Sequence, residues 1–300
     1  MNQVNTDTDR KSTFAGLRAK LLDYGLLIKF KLSLLVVFSA VVSYLYASPS
    51  LDWVKFFWLI IGGMFVTGAS NTLNQVLEKD FDVLMNRTLN RPLPAKRMEV
   101  SEAVLFAGLL SVAGVLIFLI NFNPLASILS ALSLISYAFI YTPLKRVSPI
   151  AVWVGAIPGA LPVLIGWVCA TGELVPEAWV LFSLQFFWQF PHFWAIYWVS
   201  YDDYSRAGFN LLPSDGGRDK GTAAQCVVYA MVIFLVIATG VWLNMFVFTA
   251  VFMVLLNAAY TYFALMLHKK PIHENAKKLM FFSFAFLPLV QILIILSKFL

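Results

Sequence analysis

Nine apolar stretches, each about as long as a bilayer is thick, constrain this chain more than any other feature of its sequence. A helix needs about 20 mostly apolar residues to cross the hydrocarbon core of a membrane. The stretches cover residues 27–47, 55–77, 100–120, 124–142, 150–170, 177–199, 222–242, 246–267 and 279–297. Only 13% of the 300 residues are charged, about half the share found in soluble domains. The sequence therefore predicts an all-α integral membrane protein with nine transmembrane helices.

The positions of lysine and arginine predict how these helices are oriented. A cytoplasmic N-terminus places all of the 22 basic residues on the cytoplasmic side except Lys55 and Lys298. Cytoplasmic loops of membrane proteins carry an excess of basic residues, so this orientation is favoured. With an odd number of crossings, we expect a cytoplasmic N-terminus and a periplasmic C-terminus, in the inner membrane of a bacterium.

The connecting segments are too short to hold a soluble domain. We therefore expect a cytoplasmic N-terminal tail over residues 1–26 and a single transmembrane domain over residues 27–300. Cys169 and Cys226 lie in apolar stretches without metal-ligand spacing and are interpreted as small core residues. The sequence contains no Walker loop, no dinucleotide-binding glycine motif, no zinc pattern and no indication of nucleic-acid binding. Any chemistry must therefore be built from the ends of membrane helices.

One polar stripe near the cytoplasmic end of the second apolar stretch predicts where that chemistry occurs. Asn74, Glu78 and Asp82 recur at every fourth position, with Asn71 one turn earlier. Each step of four residues advances about 40° around a helix and about 6 Å along it, so these side chains share one face. Carboxylates in this arrangement suit Mg²⁺ bridged to a diphosphate. A polar helix end with capping groups and i, i+4 pairs is the simpler structural alternative.

A basic, proline-marked loop follows the stripe directly and contains Arg87 and Arg91. Arginine presents a planar fork of donors to two phosphate oxygens, whereas lysine presents a point charge. Lys145 and Arg146, at the cytoplasmic end of the fourth stretch, can complete a diphosphate site. Taken alone, this second pair is equally well explained as a topology signal.

A second polar cluster lies at the cytoplasmic end of the sixth stretch and contains His192, Asp202 and Asp203. His192 and Asp203 share a face if the helix continues that far, because eleven residues are about three helical turns. Two interpretations of His192 stay open: a buried histidine bonded to a neighbouring helix, and a group that takes part in the chemistry. The aromatic residues around it suit packing against lipid, or the wall of a pocket for a planar or prenyl substrate.

These motifs resemble the UbiA superfamily of intramembrane prenyltransferases, and within it the branch that farnesylates heme. The stripe matches the superfamily's first acidic motif, and Gln75 and Glu78 are similar to the form found in the heme branch. The position of His192 tends to be acidic in quinone-pathway relatives, so a histidine there also resembles the heme branch. The chain departs from the pattern at Asn210, where members often have proline, and at Ala151, where many have asparagine.

The resemblance covers about residues 27–297 and implies a UbiA-type bundle around a central cavity that opens near the cytoplasmic face. It implies transfer of the farnesyl group of farnesyl diphosphate to a vinyl group of heme b, giving heme O, with Mg²⁺ as cofactor. Implied partners are the lipid bilayer and a heme A synthase or a terminal oxidase assembly. The predicted catalytic residues are Asn74, Glu78, Asp82, His192 and Asp203. The predicted metal ligands are Asn74, Glu78, Asp82, Asp202 and Asp203, and the predicted diphosphate ligands are Arg87, Arg91, Lys145 and Arg146.

Two other functions remain as alternatives. A UbiA-type enzyme acting on an aromatic quinone precursor is disfavoured by Gln75, Glu78 and His192. A secondary transporter or proton-coupled channel would use intramembrane carboxylates, and such proteins tend to show inverted repeats and charges near the middle of the bilayer. Here the acidic clusters lie at one face of the membrane and no strong repeat is visible, which argues against transport.

Overall fold

The computed structural model describes the backbone of residues 5–299 and the side chains of residues 16–299. Every regular element in this part of the chain is a helix. The bounds are α1 Asn5–Leu27, α2 Phe30–Ala47, α3 Trp53–Asp82, α4 Val100–Asn121, α5 Pro124–Ile135, a π-helical segment Ser136–Tyr141, α6 Thr142–Leu144, α7 Ala151–Thr171, α8 Pro176–Val199, α9 Tyr201–Arg206, α10 Lys220–Trp242, α11 Ala250–Lys269 and α12 His273–Ser297. The predicted all-α class is confirmed.

Membrane-spanning character is confirmed, whereas the count of nine crossings stays a prediction. Eight helical units among the described residues are long and apolar enough to cross a bilayer: α2, α3, α4, the unit Pro124–Leu144, α7, α10, α11 and α12. The predicted stretch 177–199 coincides with α8, which is not among those eight. Its 24 residues reach about 36 Å, but its polar Gln185, Gln189 and His192 reduce its hydropathy.

Helix α7 occupies the middle of the bundle and packs against α2, α5, α8 and the π-helical segment. Glycine makes one of these close approaches possible, since a Cβ atom at Gly166 would collide with the backbone carbonyl of Ala40 in α2. Small residues at helix interfaces let membrane helices approach closely. The expectation that the glycines of this stretch serve helix packing is therefore confirmed at Gly166.

The sixth predicted helix does not continue to Asp203, so one expectation about the second cluster is not met. Helix α8 ends at Val199, and Ser200 leaves the helical region with φ −102° and ψ 21°. Asp203 lies in the separate short helix α9. His192 and Asp203 therefore belong to different helices, and the spacing of eleven residues does not place them on one face.

Most of the predicted N-terminal tail is helical and packs against the bundle. Helix α1 includes residues 5–26 of that tail. Two of its side chains, Lys20 and Tyr24, bond to Glu102 of α4 at 2.7 and 2.6 Å. Lys29 then separates α1 from α2 with a left-handed backbone, φ 48° and ψ 56°. The cytoplasmic location of this segment and the boundary between tail and domain stay predictions, and residues 1–4 lie outside the described part of the chain.

Candidate functional site

The polar stripe is formed by the last three turns of α3, as the four-residue spacing predicts. Helix α3 starts at an Asp52 cap whose carboxylate accepts hydrogen bonds from the following amides, and its 30 residues reach about 45 Å. Asn74, Glu78 and Asp82 are 1%, 5% and 0% exposed. The stripe therefore faces the interior of the bundle rather than solvent or lipid.

Each polar group of the stripe is matched by one cation of the protein. Lys29 Nζ donates to Asn74 Oδ1 at 3.0 Å, and Lys145 forms an ion pair with Glu78. Arg91 Nη1 reaches both oxygens of Asp82, at 2.9 and 2.7 Å. Buried carboxylates are costly unless they are paired and hydrogen-bonded. Lys145 and Arg91 supply that compensation for the two carboxylates, whereas Lys29 donates to the neutral amide of Asn74.

Lys145 is held in place by rings as well as by its carboxylate partner. Its ammonium lies 4.9 Å from the ring centre of Tyr141 and 5.6 Å from that of Phe209. Burial disfavours the charged form of Lys145, but the carboxylate of Glu78 and the nearby oxygens of Tyr137 and Tyr197 together outweigh burial, and the pKa of the lysine is raised. The surroundings of Lys145 therefore favour its charged form.

The loop after α3 contacts the segment after α8, so the ends of the two predicted clusters are neighbours. Arg87 Nη2 donates to the hydroxyl of Tyr204 at 2.6 Å, and the guanidinium lies 5.1 Å from the ring centre of Tyr204. Phe81 and Phe209 pack with ring centres 6.0 Å apart.

Asp202 and Asp203, the second acidic pair, each form an ion pair with a nearby arginine. Asp203 forms an ion pair with Arg206 one turn further along α9. Asp202 pairs with Arg218 at 3.2 Å, and its side chain is 80% exposed. The structure places Asp203 at the inner side of this segment and Asp202 at the surface. The metal-binding roles predicted for both stay predictions.

Arg146 lies at the rim of the site. It is exposed, and its guanidinium carbon is 4.4 Å from the ring centre of Phe81 on α3. The four predicted diphosphate ligands, Arg87, Arg91, Lys145 and Arg146, are thus all located near the C-terminal end of α3. Their roles toward a diphosphate stay predictions.

His192 faces α12 rather than the stripe. Its Nδ1 lies 2.7 Å from Ser283 Oγ, and its ring stacks on Trp188 with centres 4.3 Å apart. Ser283 Oγ donates its single proton to the carbonyl of Met280 at 2.6 Å. Nδ1 must therefore be the donor in the histidine–serine bond, which leaves the lone pair on Nε2. The structural interpretation, a buried histidine bonded to a neighbouring helix, describes these contacts.

Several residues at the site were not singled out by sequence reasoning. Lys29 was counted only as a topology signal, and Tyr204, Phe209 and Thr142 received no separate role. Thr142 Oγ1 accepts a hydrogen bond from Asn74 Nδ2 at 3.1 Å. A lysine at the entry to an apolar stretch is a usable signal, whereas the aromatic partners become visible only when distant segments meet.

The oxygen donors of the stripe suit Mg²⁺ shared with a diphosphate. Among the described side chains, no group of three or more His, Cys, Asp or Glu is placed to hold a metal by itself. The stripe instead offers one amide oxygen and two carboxylates from Asn74, Glu78 and Asp82. Magnesium sites that also bind phosphates commonly use one or two carboxylates and take further oxygens from the substrate. The residues present therefore fit a magnesium ion whose coordination is completed by a diphosphate.

A cavity of about 80 Å³ lies at the apolar end of the stripe, between α2, α3, α5, the π-helical segment and α7. Asn71 and Ser70 line one side of it, and Tyr137 and Pro158 line the other. Pockets for drug-sized ligands usually measure roughly 300–1,000 Å³. This cavity is therefore smaller than a pocket for a ligand of that size, and the predicted central substrate cavity stays a prediction.

Comparison with known proteins agrees with this geometry. The sequence profile of the UbiA prenyltransferase family matches residues 35–285. A protein named protoheme IX farnesyltransferase from Christiangramia forsetii is 43% identical over 282 residues, which cover 92% of this chain and 93% of that protein. A protein of the same name from Flavobacterium psychrophilum is 41% identical and covers the whole of both chains. The solved structure of a UbiA homolog from Archaeoglobus fulgidus bound to DMAPP and Mg²⁺ superposes with a TM-score of 0.72 at 16% identity, covering 92% of this chain and 98% of that one.

Proposed function

The chain belongs to the UbiA prenyltransferase family, and from that premise we propose that it transfers the farnesyl group of farnesyl diphosphate to a vinyl group of heme b, forming heme O. The observation that carries the proposal is the buried stripe of Asn74, Glu78 and Asp82, matched by cations. This arrangement provides metal ligands and diphosphate ligands at one helix end. The choice of heme as acceptor rests on two proteins named protoheme IX farnesyltransferase, which are 43% and 41% identical in sequence to this chain over nearly its whole length.

The stripe is proposed to hold Mg²⁺ through Asn74, Glu78 and Asp82, with Asp203 turning in from α9. Magnesium bound there supplies positive charge that neutralises the diphosphate as its bond to the allylic carbon breaks. Arg91 and Lys145, which pair with the carboxylates in the structure, are then available to bind diphosphate oxygens. Their charges stabilise the leaving group as its negative charge grows.

Arg87 and Arg146 are proposed to close the site around the leaving group. Arg87 already spans the gap between the loop after α3 and Tyr204, so it can bind the diphosphate without a large displacement. Arg146 lies at the exposed rim, where it can attract the anionic substrate from the cytoplasm. Asp202 is proposed to act from the surface, through its contact with Arg218, rather than from the centre of the site.

A group of tyrosines is proposed to line the path of the farnesyl cation. Tyr141 and Tyr197 are joined by a hydroxyl contact of 3.1 Å, and Tyr137 packs on Tyr141 and lines the cavity. Aromatic faces attract cations, and a dry cavity keeps unwanted water from the intermediate. The electron-rich vinyl carbon of heme would capture the cation, and water would add at the neighbouring carbon and lose a proton to the solvent or the released diphosphate, giving the hydroxyethyl group.

His192 is proposed to bind the acceptor, and two roles remain for it. Its Nε2 lone pair, left free by the bond from Nδ1 to Ser283, can ligate or orient heme, or it can assist the addition of water. A heme absorption spectrum that is unchanged in His192→Ala would exclude ligation. Full turnover in the same variant would exclude both roles.

The location and the partners follow from the same proposal. The eight apolar helical units place the protein in a membrane, and the similarity to bacterial relatives favours a bacterial inner membrane. The distribution of basic residues favours a cytoplasmic N-terminus. The phosphate-binding end of α3 then faces the compartment that contains soluble farnesyl diphosphate. Heme O is an intermediate for further oxidation or insertion, which makes a heme A synthase or a terminal oxidase assembly the expected recipient.

One experiment tests the function directly. Purified protein in lipid vesicles is incubated with heme b, farnesyl diphosphate and Mg²⁺. The hemes are then separated by reversed-phase chromatography, and their masses are measured by mass spectrometry. A more hydrophobic heme whose added mass equals one farnesyl group and one hydroxyl supports the proposal. A matched reaction with an aromatic quinone precursor serves as control. Prenylation of that precursor, with heme left unchanged, would overturn the choice of acceptor.

A further inference from the structure

The end of α1 is fastened to the same helix that carries the stripe. Gln75 Nε2 donates to the carbonyls of Leu26 and Leu27, at 3.2 and 2.6 Å. Asn71 Nδ2 lies 3.4 Å from the carbonyl of Ile28. The last four carbonyls of a helix have no partner within the helix, and these amides supply one. The position of the C-terminal end of α1 is therefore set by α3.

The preceding turn of α1 is fastened to the loop that follows α3. Asp23 is 7% exposed. Its Oδ1 accepts from Arg97 Nε at 3.0 Å and from Nη2 at 2.8 Å, a paired geometry that is among the stronger charge-assisted contacts. Arg97 Nη2 also donates to the backbone carbonyl of Asn90 at 3.0 Å. The next residue is Arg91, whose guanidinium holds Asp82. A continuous chain of contacts thus runs from α1 to the last residue of the stripe.

The junction after α1 places Lys29 beside Asn74, at the end of the stripe opposite to Asp82 and Arg91. Lys29 has φ 48°, in a region that residues other than glycine occupy only when their surroundings enforce it. This conformation turns the chain from α1 into α2 and brings Lys29 Nζ to Asn74 Oδ1. The amides of Asn71 and Gln75 hold the chain on both sides of this junction, at Leu26 and Leu27 before it and at Ser33 after it.

We propose that α1 contributes to the diphosphate site. Asp23 and Gln75 act as positioning residues: Asp23 places Arg91, and Gln75 places Lys29, at opposite ends of the stripe. Lys29 is thereby an additional ligand of the diphosphate. This inference rests on the proposed function, because it takes the ligand of the stripe to be a diphosphate. Its consequence is that a change on α1, outside the apolar helices, alters the affinity for the prenyl diphosphate.

Helix α1 offers a matched control for this test. Lys20 binds Glu102 of α4 at 2.7 Å, with the two side chains 40% and 30% exposed. This contact also attaches α1 to the bundle, but neither residue touches the loop over residues 83–97 in the described contacts. Lys20→Gln therefore removes an attachment of α1 while leaving the chain from Asp23 to Arg91 intact.

The experiment compares Asp23→Asn with Lys20→Gln in the full-length protein. Loss of a hydrogen-bonded contact between charged groups costs roughly the equivalent of a tenfold change in affinity. We expect Asp23→Asn to raise KM for farnesyl diphosphate about tenfold while kcat changes less than twofold. Calorimetry with magnesium and inorganic diphosphate, without heme, should show the same loss of affinity. Trypsin, added without metal, should cleave the loop over residues 83–97 faster in Asp23→Asn than in Lys20→Gln.

Each outcome decides for or against the inference. Unchanged diphosphate affinity in Asp23→Asn, or an equal loss in Lys20→Gln, would overturn it, because α1 would then be only a stabilising attachment. Arg97→Lys provides a second variant if Asp23→Asn does not fold, since lysine keeps the charge but cannot make the paired contact. If the wild-type protein binds diphosphate but leaves heme unmodified, the function proposed above fails while the calorimetric comparison still tests α1.

Discussion

The ion pair between Glu78 and Lys145 allows the most direct test of the site's electrostatics. The two side chains are only 6% and 10% exposed. Replacing Glu78 by glutamine keeps the shape of the side chain and one acceptor oxygen but removes the charge. The ammonium of Lys145 is then left buried without a countercharge in contact. Removing one partner of a buried ion pair typically costs about 3–5 kcal/mol, and the remaining acceptor places this change near 3 kcal/mol.

An exposed ion pair on the same helix gives the comparison. Lys79 and Asp80 are 41% and 77% exposed and lie 3.1 Å apart. Exposed pairs of this kind contribute about 0–1 kcal/mol, so Asp80→Asn should leave stability nearly unchanged. Thermal unfolding of both variants in the same detergent, followed by tryptophan fluorescence, measures the difference. We expect Glu78→Gln to unfold several degrees below wild type and Asp80→Asn to match wild type.

A double variant separates the charge effect from a loss of packing. Lys145→Met added to Glu78→Gln removes the stranded charge, and replacing a whole buried pair by apolar groups is often neutral or stabilising. The double variant should therefore recover most of the lost stability while remaining inactive. If it is as unstable as Glu78→Gln alone, or if Asp80→Asn is equally destabilised, the ion pair does not carry the stability assigned to it.

Three further outcomes are expected. Tyr204→Phe removes the hydrogen bond to Arg87. The KM for farnesyl diphosphate should rise about threefold to tenfold, and the KM for heme should not change. A larger rise in the KM for heme would contradict the placement of Arg87. Gly166→Ala forces a collision with the carbonyl of Ala40 and should lower the unfolding temperature, or abolish folding, whereas Gly108→Ala, with no atom within 4 Å of the added methyl, should be harmless. Chelation of divalent cations should stop turnover while leaving the helical circular dichroism unchanged, and magnesium should restore it; turnover that survives chelation would exclude a divalent metal.

The parts of the site that were predictable from sequence are those fixed by local periodicity. The stripe on α3 follows from four-residue spacing on one continuous helix, because no other segment needs to be placed. The all-α membrane class follows in the same way from the length of the apolar stretches. Arg91 was also predictable as part of the site, since only nine residues separate it from Asp82.

The remaining contacts depend on distant segments and could not be read from spacing. Lys29 and Asn74 are 45 residues apart, and Arg87 and Tyr204 are 117 residues apart. Periodicity says which face of a helix is polar, but the partner of that face is set by tertiary packing. The end of the sixth stretch at residue 199 was predicted and coincides with the end of α8, whereas the position of Asp203 on the separate helix α9 could not be derived from spacing.

The contacts of α1 are only partly visible in its sequence pattern. Residues 16–27 mix polar and apolar side chains, and several of the apolar ones, such as Leu21 and Leu22, are exposed at 62% and 61%. Two side chains pack inward, the apolar Leu27 and the carboxylate of Asp23. A hydrophobicity pattern can indicate the contact of Leu27, but it cannot indicate the ion pair of Asp23 with Arg97.

The charge balance of the site explains why these attachments lie in connecting segments. Two buried carboxylates of the stripe are accompanied by three cations, of which Lys29 lies at a helix junction and Arg91 in a loop. Arg91 and Lys145 neutralise the two carboxylates, which would otherwise be buried without a countercharge, while Lys29 donates to the amide of Asn74. In the proposed function the same cations bind phosphate oxygens, so they would exchange their present partners for the diphosphate. Backbone segments outside the membrane helices can move for that exchange at low cost, and α1 limits the range of the movement by holding Asp23 against Arg97.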